Sequence, residues 1–240
     1  MTKVLLAFAM KEEFAAWRRR GRFRSSLISG HRVYVTTRGI TEVFVTLTGA
    51  GARDTLHLDD LFTHLSPSVG IVTGVAGGLK PQWRPGDLLA AQWVSDAQGQ
   101  ERIASDADLV DLAVRCGAKQ APTLITLPRV VRTVDEKVRL AAYGDAADME
   151  SFPVIKQWSS RGIPTLALRV IVDPVEMPMT CDFEAAMDAR GQVRISRILA
   201  QLARRPQLLP DFLRLARQSR HALKTLAGFL DRFFEQLSTR

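Results

Sequence analysis

The sequence is poor in the residues that build stapled, metal-bound or membrane-spanning proteins. Its two cysteines, Cys116 and Cys181, lie far apart and outside any metal-ligand spacing, which argues against a disulfide framework or a zinc cluster. The four histidines, His31, His57, His64 and His221, are scattered, so no metal site is expected. No apolar run approaches the ~18 residues that cross a bilayer. The start, MTKVLLAFAMKEEF, has no basic leader, long apolar core or small-residue cleavage site. The expected setting is the cytoplasm, with reduced thiols. No serine stands in a nucleophile-elbow pattern, which weakens a covalent hydrolase reading. Internal repeats and low-complexity segments are also missing.

What is present is a globular composition, 46% hydrophobic and 24% charged over 240 residues, a length that suits one large domain. Short apolar or β-branched runs at 3–9, 33–36, 43–47, 69–73, 87–94, 124–126 and 165–172 read as strands. Amphipathic stretches at 11–20, 52–65, 107–116, 134–142 and 151–161 alternate with them as helices. That alternation predicts an α/β fold, a single-domain three-layer α/β/α arrangement with a mixed central sheet, over residues 1–190. From Ile195 the strand signals stop and apolar residues recur at helical spacing, interrupted at Pro206 and Pro210. Residues 191–240 are therefore expected to form a basic amphipathic helical extension packed on the domain.

The net charge of +8 is concentrated in that extension: residues 194–240 hold ten Lys or Arg against three acids, a net +7. A solvated face on a packed terminal helix explains the charge, and peripheral contact with an anionic inner-membrane surface is a second reading. Nucleic acid is not expected as a partner, because no aromatic stacking platforms interleave with the charge.

Two glycine-rich segments follow strands. Thr48-Gly49-Ala50-Gly51 precedes a helix and could cradle an anion or ribose with its amides, but the third glycine of a dinucleotide fingerprint is missing. Gly74-Val75-Ala76-Gly77-Gly78 is denser in glycine, which implies close backbone approach or positive φ angles. Acidic residues stand where open α/β sheets bind ligands: Glu12 and Glu13 after the first strand, Glu150 in Asp148-Met149-Glu150-Ser151, and Asp173 at the end of the strongest strand. In an apolar setting such a carboxyl is raised toward neutral pKa and can donate a proton.

Taken in order, AMKEEF (9–14), TGAG (48–51), TGVAGGLKPQWRPGD (73–87), ADMES (147–151) and RVIVDP (169–174) resemble the successive motifs of the purine nucleoside phosphorylase and methylthioadenosine/S-adenosylhomocysteine nucleosidase superfamily. The likeness covers about residues 3–185. The GVAGGLKPQWRPGD loop, the DMES motif and the stretch 187–217 are most similar to its hopanoid-associated phosphorylase branch, which acts on adenosylhopane.

The resemblance implies cleavage of the N-glycosidic bond of an adenosine-type nucleoside, with adenosylhopane in hopanoid biosynthesis as the expected substrate. Soluble methylthioadenosine or S-adenosylhomocysteine, or nucleoside binding without turnover, are the alternatives. It implies that Asp173 protonates or hydrogen-bonds N7 of the base, that Glu150 holds ribose hydroxyls beside Met149, and that Glu12 or Glu13 activates water. Gly49, Gly74, Val75, Ala76 and Gly77 would line the nucleophile side. No cofactor is implied, phosphate being a possible co-substrate with Arg53 as its candidate cation. Val72 and Val75 stand where phosphorylases carry an arginine and a Ser or Thr, which favours hydrolysis. Val172 replaces a small polar residue. The resemblance also implies a homo-oligomer.

Overall fold

The computed structural model describes residues 2–52, 55–188, 191 and 193–239. Arg53, the candidate phosphate cation, lies outside the described residues. Ten strands and eight helices are present among them. The first half runs β1 (Thr2–Phe8), α1 (Lys11–Arg18), β2 (Arg24–Ile28), β3 (His31–Arg38), β4 (Thr41–Leu47), α2 (Leu56–Leu65) and β5 (Val69–Gly78). The second continues through β6 (Leu88–Ser95), β7 (Arg102–Ala104), α3 (Ala107–Arg115), β8 (Lys119–Thr126), α4 (Val134–Leu140), β9 (Ala146–Asp148), α5 (Ser151–Ser159) and β10 (Thr165–Asp173). The C-terminal part is helical: α6 (Phe183–Ala186), α7 (Ile195–Arg204), a 3-10 turn at Pro206–Leu208, and α8 (Leu209–Leu237).

All strands join one mixed sheet, ordered β10-β6-β8-β9-β5-β1-β4-β3-β2 with β7 on β6. Because β10 also pairs with β5, the strands β5, β10, β6, β8 and β9 close on themselves, and β1, β4, β3 and β2 extend the sheet from β5. The continuous apolar run of β1 follows from helices covering both faces. Val4, Leu6 and Phe8 point into one core with Phe14 and Trp17 of α1 and with α3 and α8, while Leu5 and Ala7 point into the other with α2 and α5.

The two prolines of the C-terminal stretch act as helix starts, one opening the 3-10 turn and the other the first turn of α8, where a missing N–H costs nothing. The second half of α8 is a core helix: Leu226, Phe229, Leu230, Phe233 and Phe234 are fully buried against β1, β5 and β10. Phe234 stacks on Trp17 at 5.5 Å, and Asp231 accepts hydrogen bonds from Trp17 Nε1 at 2.8 Å and Arg20 Nε at 2.8 Å. The glycine-rich segment after Thr73 differs from the sequence expectation of a loop, since it continues β5 to Gly78, paired with β10. Close approach is the main reason for its glycines: of Gly74, Gly77 and Gly78 only Gly74 has a positive φ, +147°.

Candidate active site

A cavity of about 230 Å³ is lined by residues at or just past the ends of β1, β5, β8, β9 and β10. Glu13, Val75, Ala76, Gly77, Lys137, Asp148, Met149, Glu150 and Asp173 all face it. Segments separated by up to 160 residues thus meet in one place. Its far wall comes from the C-terminal part of the chain and is largely apolar: Met179, Phe183, Met187, Val193 and Leu215.

Asp173 closes β10, where the register with β5 shifts between Ile171 and Asp173. Gly77 lies opposite, and a Cβ there would sit 3.1 Å from Asp173 Oδ2, so the glycine makes room for the carboxyl. The buried Lys137 ammonium donates to Oδ2, and also to the carbonyls of Pro174 at 2.8 Å and Met177 at 2.9 Å. Burial pushes the Asp173 carboxyl up to about 6, against the lowering pull of that ammonium.

Of the two acids opening α1, Glu13 enters the cavity and Glu12 faces solvent beside Lys11, 3.8 Å away. The phase of the helix separates them: Glu13 shares the buried stripe with Phe14 and Trp17, and adjacent residues lie about 100° apart around the axis. Glu13 Oε2 accepts the N–H groups of Ala9 (3.1 Å) and Met10 (3.0 Å), and Oε1 accepts that of Val75 (3.0 Å). Its carboxyl is raised by burial, with Arg169 and these three N–H groups opposing. A Cβ on Gly74 would lie 2.7 Å from Arg169 Nη1 and 2.8 Å from Glu13 Oε1, so the backbone there leaves space for both side chains.

Glu150 accepts the Gly51 N–H at 2.8 Å and lies 3.6 Å from Arg169 Nη2. Asp148 is the anchor beside it. It pairs with Arg169 Nη2 at 2.6 Å, accepts the Thr126 hydroxyl at 2.7 Å, and caps α5 through the Ser151 N–H at 3.1 Å. Burial, with Asp148 and Glu13 adding like charge, raises the Glu150 carboxyl to about 8 despite Arg169. Four buried carboxyls thus face two buried cations, and burial raises three of those carboxyls, so the site can hold protons and pass them to a substrate.

A family model described as the phosphorylase superfamily matches residues 3–204. The chain belongs to the phosphorylase superfamily. It is accordingly a member of an enzyme superfamily, with the mixed α/β fold expected from its sequence. Comparison with curated protein sequences finds no significant match. Among solved structures, the Campylobacter jejuni 5'-methylthioadenosine/S-adenosylhomocysteine nucleosidase aligns with TM-score 0.73 and 17% identity, over 98% of this chain and 100% of that one. Helicobacter pylori futalosine hydrolase aligns with TM-score 0.72 and 16% identity, over 98% of both chains. The nucleosidase of the same name from Helicobacter pylori aligns with TM-score 0.74 and 16% identity, again over 98% of both.

In this superfamily member the Gly49–Gly51 turn is not an open anion cradle. The Gly49 N–H donates to Ala9 O at 2.9 Å, that of Ala50 to Gly191 O at 3.3 Å, and that of Gly51 to Glu150. Gly49 and Gly74 back the cavity without lining it. Arg169 and Lys137 were not picked out from sequence. A lone arginine inside the apolar run Thr165–Asp173 is a signal for a buried ion pair, since such a charge is kept inside only by partners. Lys137 carries no such signal: its segment Asp135-Glu136-Lys137-Val138-Arg139 reads as a solvated face, yet Lys137 is buried and Val138 exposed.

Proposed function

We propose that this protein hydrolyses the N-glycosidic bond of an adenosine-type nucleoside carrying a lipid-like 5′ substituent, adenosylhopane being the expected example. The observation that carries the reading is the meeting of Glu13, Glu150 and Asp173 around one cavity. Asp173 donates a proton to the departing base, Glu150 with Met149 holds the ribose hydroxyls, and Glu13 takes a proton from the attacking water. Departure of the base builds oxocarbenium character at C1′, and the proton from Asp173 takes up the charge that the departing base develops. Hydrolysis is favoured because Val72 and Val75 supply no phosphate grip and the amides at 49–51 already have acceptors. The solved neighbours are themselves nucleosidases and a hydrolase by name.

Support for a lipid-like substituent comes from the apolar far wall and from the surface beside it. Ile195, Leu199, Leu209 and Leu213 are exposed on α7 and early α8, among the exposed Arg194, Arg197, Arg204, Arg205 and Arg214. The same stretch contributes Val193, Leu215 and Ser219 to the cavity. No helix among the described residues is long and apolar enough to cross a membrane, so the contact proposed is peripheral. The names of the neighbours favour a second reading, a nucleosidase for methylthioadenosine or S-adenosylhomocysteine.

The test is chromatography of adenine released from adenosine, methylthioadenosine and a lipid-linked adenosine, each with and without phosphate. The lipid-linked substrate is expected to turn over best, independently of phosphate. Preference for methylthioadenosine would establish the second reading, and adenine release surviving Asp173→Asn in folded protein would remove Asp173 from the mechanism. Saturable binding with no turnover of any of the three would mark a binding protein.

A further inference from the structure

Lys137 reaches the site from α4, a helix that none of the sequence motifs includes. It is fully buried, and its three N–H donors have three acceptors: Asp173 Oδ2, Pro174 O and Met177 O. An ammonium donates only and cannot accept. A proton carried by Asp173 therefore has no acceptor on the Lys137 side, and Oδ2 is unavailable to hold it. Among the described residues Lys137 is the side chain that donates to this carboxyl, the other donor being the N–H of Asp173 itself, and Asp173 lines the cavity, which leaves Oδ1 free of side-chain donors.

Resting on the hydrolase reading above, we propose that Lys137 is a positioning residue that commits the Asp173 proton to Oδ1, the oxygen left to meet a ring nitrogen of the departing purine. As the C1′–N9 bond breaks, its electron pair goes to the base, and the Oδ1 proton passes to the ring nitrogen. Water adds to C1′ and gives its proton to Glu13. The carboxylate left on Asp173 is neutralised by Lys137, which stays an ammonium throughout; the proton on Glu13 returns to Asp173 through solvent after release, so the net change is one water consumed, its OH on C1′ and one H on the base. The two carbonyl contacts tie the ammonium to the chain just after β10, so the cation and the acid move as one unit. Glu13, Asp148, Glu150, Arg129 and the buried Arg169 are the other charged groups around the cavity. Lys137 is the charged side chain in ion-pair contact with Asp173.

The experiment compares wild type, Lys137→Met and Lys137→Arg by two readouts. The first is ¹³C NMR titration of the Asp173 carboxyl, which needs no turnover. An opposite charge at contact distance lowers a carboxyl by about 1 to 3 units, so Lys137→Met is expected to move the midpoint up by about one unit or more, and Lys137→Arg to move it back toward wild type. The second is kcat/KM against pH for whichever nucleoside turns over fastest and for a p-nitrophenyl riboside, whose leaving group needs no proton. Lys137→Met is expected to lower the nucleoside rate about 10-fold or more and to shift its descending limb upward, with the nitrophenyl rate changed less than about 2-fold. Loss of folding is not expected, because without the cation Asp173 holds its proton and the pair is replaced by two neutral groups. The double variant Lys137→Met/Asp173→Asn, neutral at every pH, checks this by thermal unfolding. An unchanged Asp173 midpoint, or equal losses on both substrates, would overturn the proposal. A wild type inactive on every nucleoside, but with the midpoint shifted in Lys137→Met, would sink the hydrolase reading and leave the clamp standing.

Discussion

Replacing Glu150 by glutamine keeps the side chain's shape and removes an acid whose burial is costly. The sign follows from the two states. Unfolded, the carboxyl titrates near its ordinary 4.5, and folded near 8, so between those values the native state holds a proton that the unfolded state has lost. Its contribution is greatest below the unfolded value and falls as pH rises through about 8, and Asp173 adds the same trend from 3.8 to about 6. Calorimetric melts are expected to show Glu150→Gln gaining about 2 °C or more over wild type above pH 8, with little difference at pH 5. Equal shifts at both pH values would mean that titration of Glu150 is not the cause. At Gly74 the expectation is the reverse. Gly74→Ala puts a Cβ at φ +147° against Arg169 and Glu13. A loss of about 1 to 3 kcal/mol in urea unfolding is expected, together with loss of base release.

At the scale of elements, α7 and the two halves of α8 do different work. Ile198 and Leu202 of α7 are buried in a small cluster with Cys181 and Ala186, whereas Ile195 and Leu199 on its other side are exposed. Substituting both exposed residues, Ile195→Ser with Leu199→Ser, removes no buried contact and should leave the melting temperature unchanged. Co-sedimentation with anionic vesicles is expected to fall, most clearly at low salt, where the neighbouring arginines act over a longer range. Unchanged sedimentation would leave the basic face as a solvated surface. The alternation of strands with amphipathic helices was readable because hydrophobic periodicity is a local property. The short strands β2, β7 and β9 were not. They lie among polar residues or span only three positions, and pairing with a neighbouring strand is what defines them.

For the whole molecule, the second half of α8 belongs to the same core as β1, β5 and β10. Five fully buried side chains, Leu226, Phe229, Leu230, Phe233 and Phe234, contribute about 1.5 to 3 kcal/mol each, which together equals the net stability of a typical domain, about 5 to 15 kcal/mol. A chain ending at Leu208 is therefore expected to be unfolded or insoluble by circular dichroism and size-exclusion chromatography. A folded, monodisperse truncation would show that α8 is dispensable. The α/β alternation, the helical C-terminal stretch, and the residues Glu150 and Asp173 at segment ends are legible along the chain, because periodicity, turn residues and motif order are written in neighbouring positions. Folding in three dimensions selects Glu13 over Glu12 for the cavity, joins Arg169 to Asp148 and Glu150, and sets Lys137 against Asp173. Those outcomes depend on helix phase and on where a closed sheet brings distant segments together, and no local pattern encodes a contact across 36 residues.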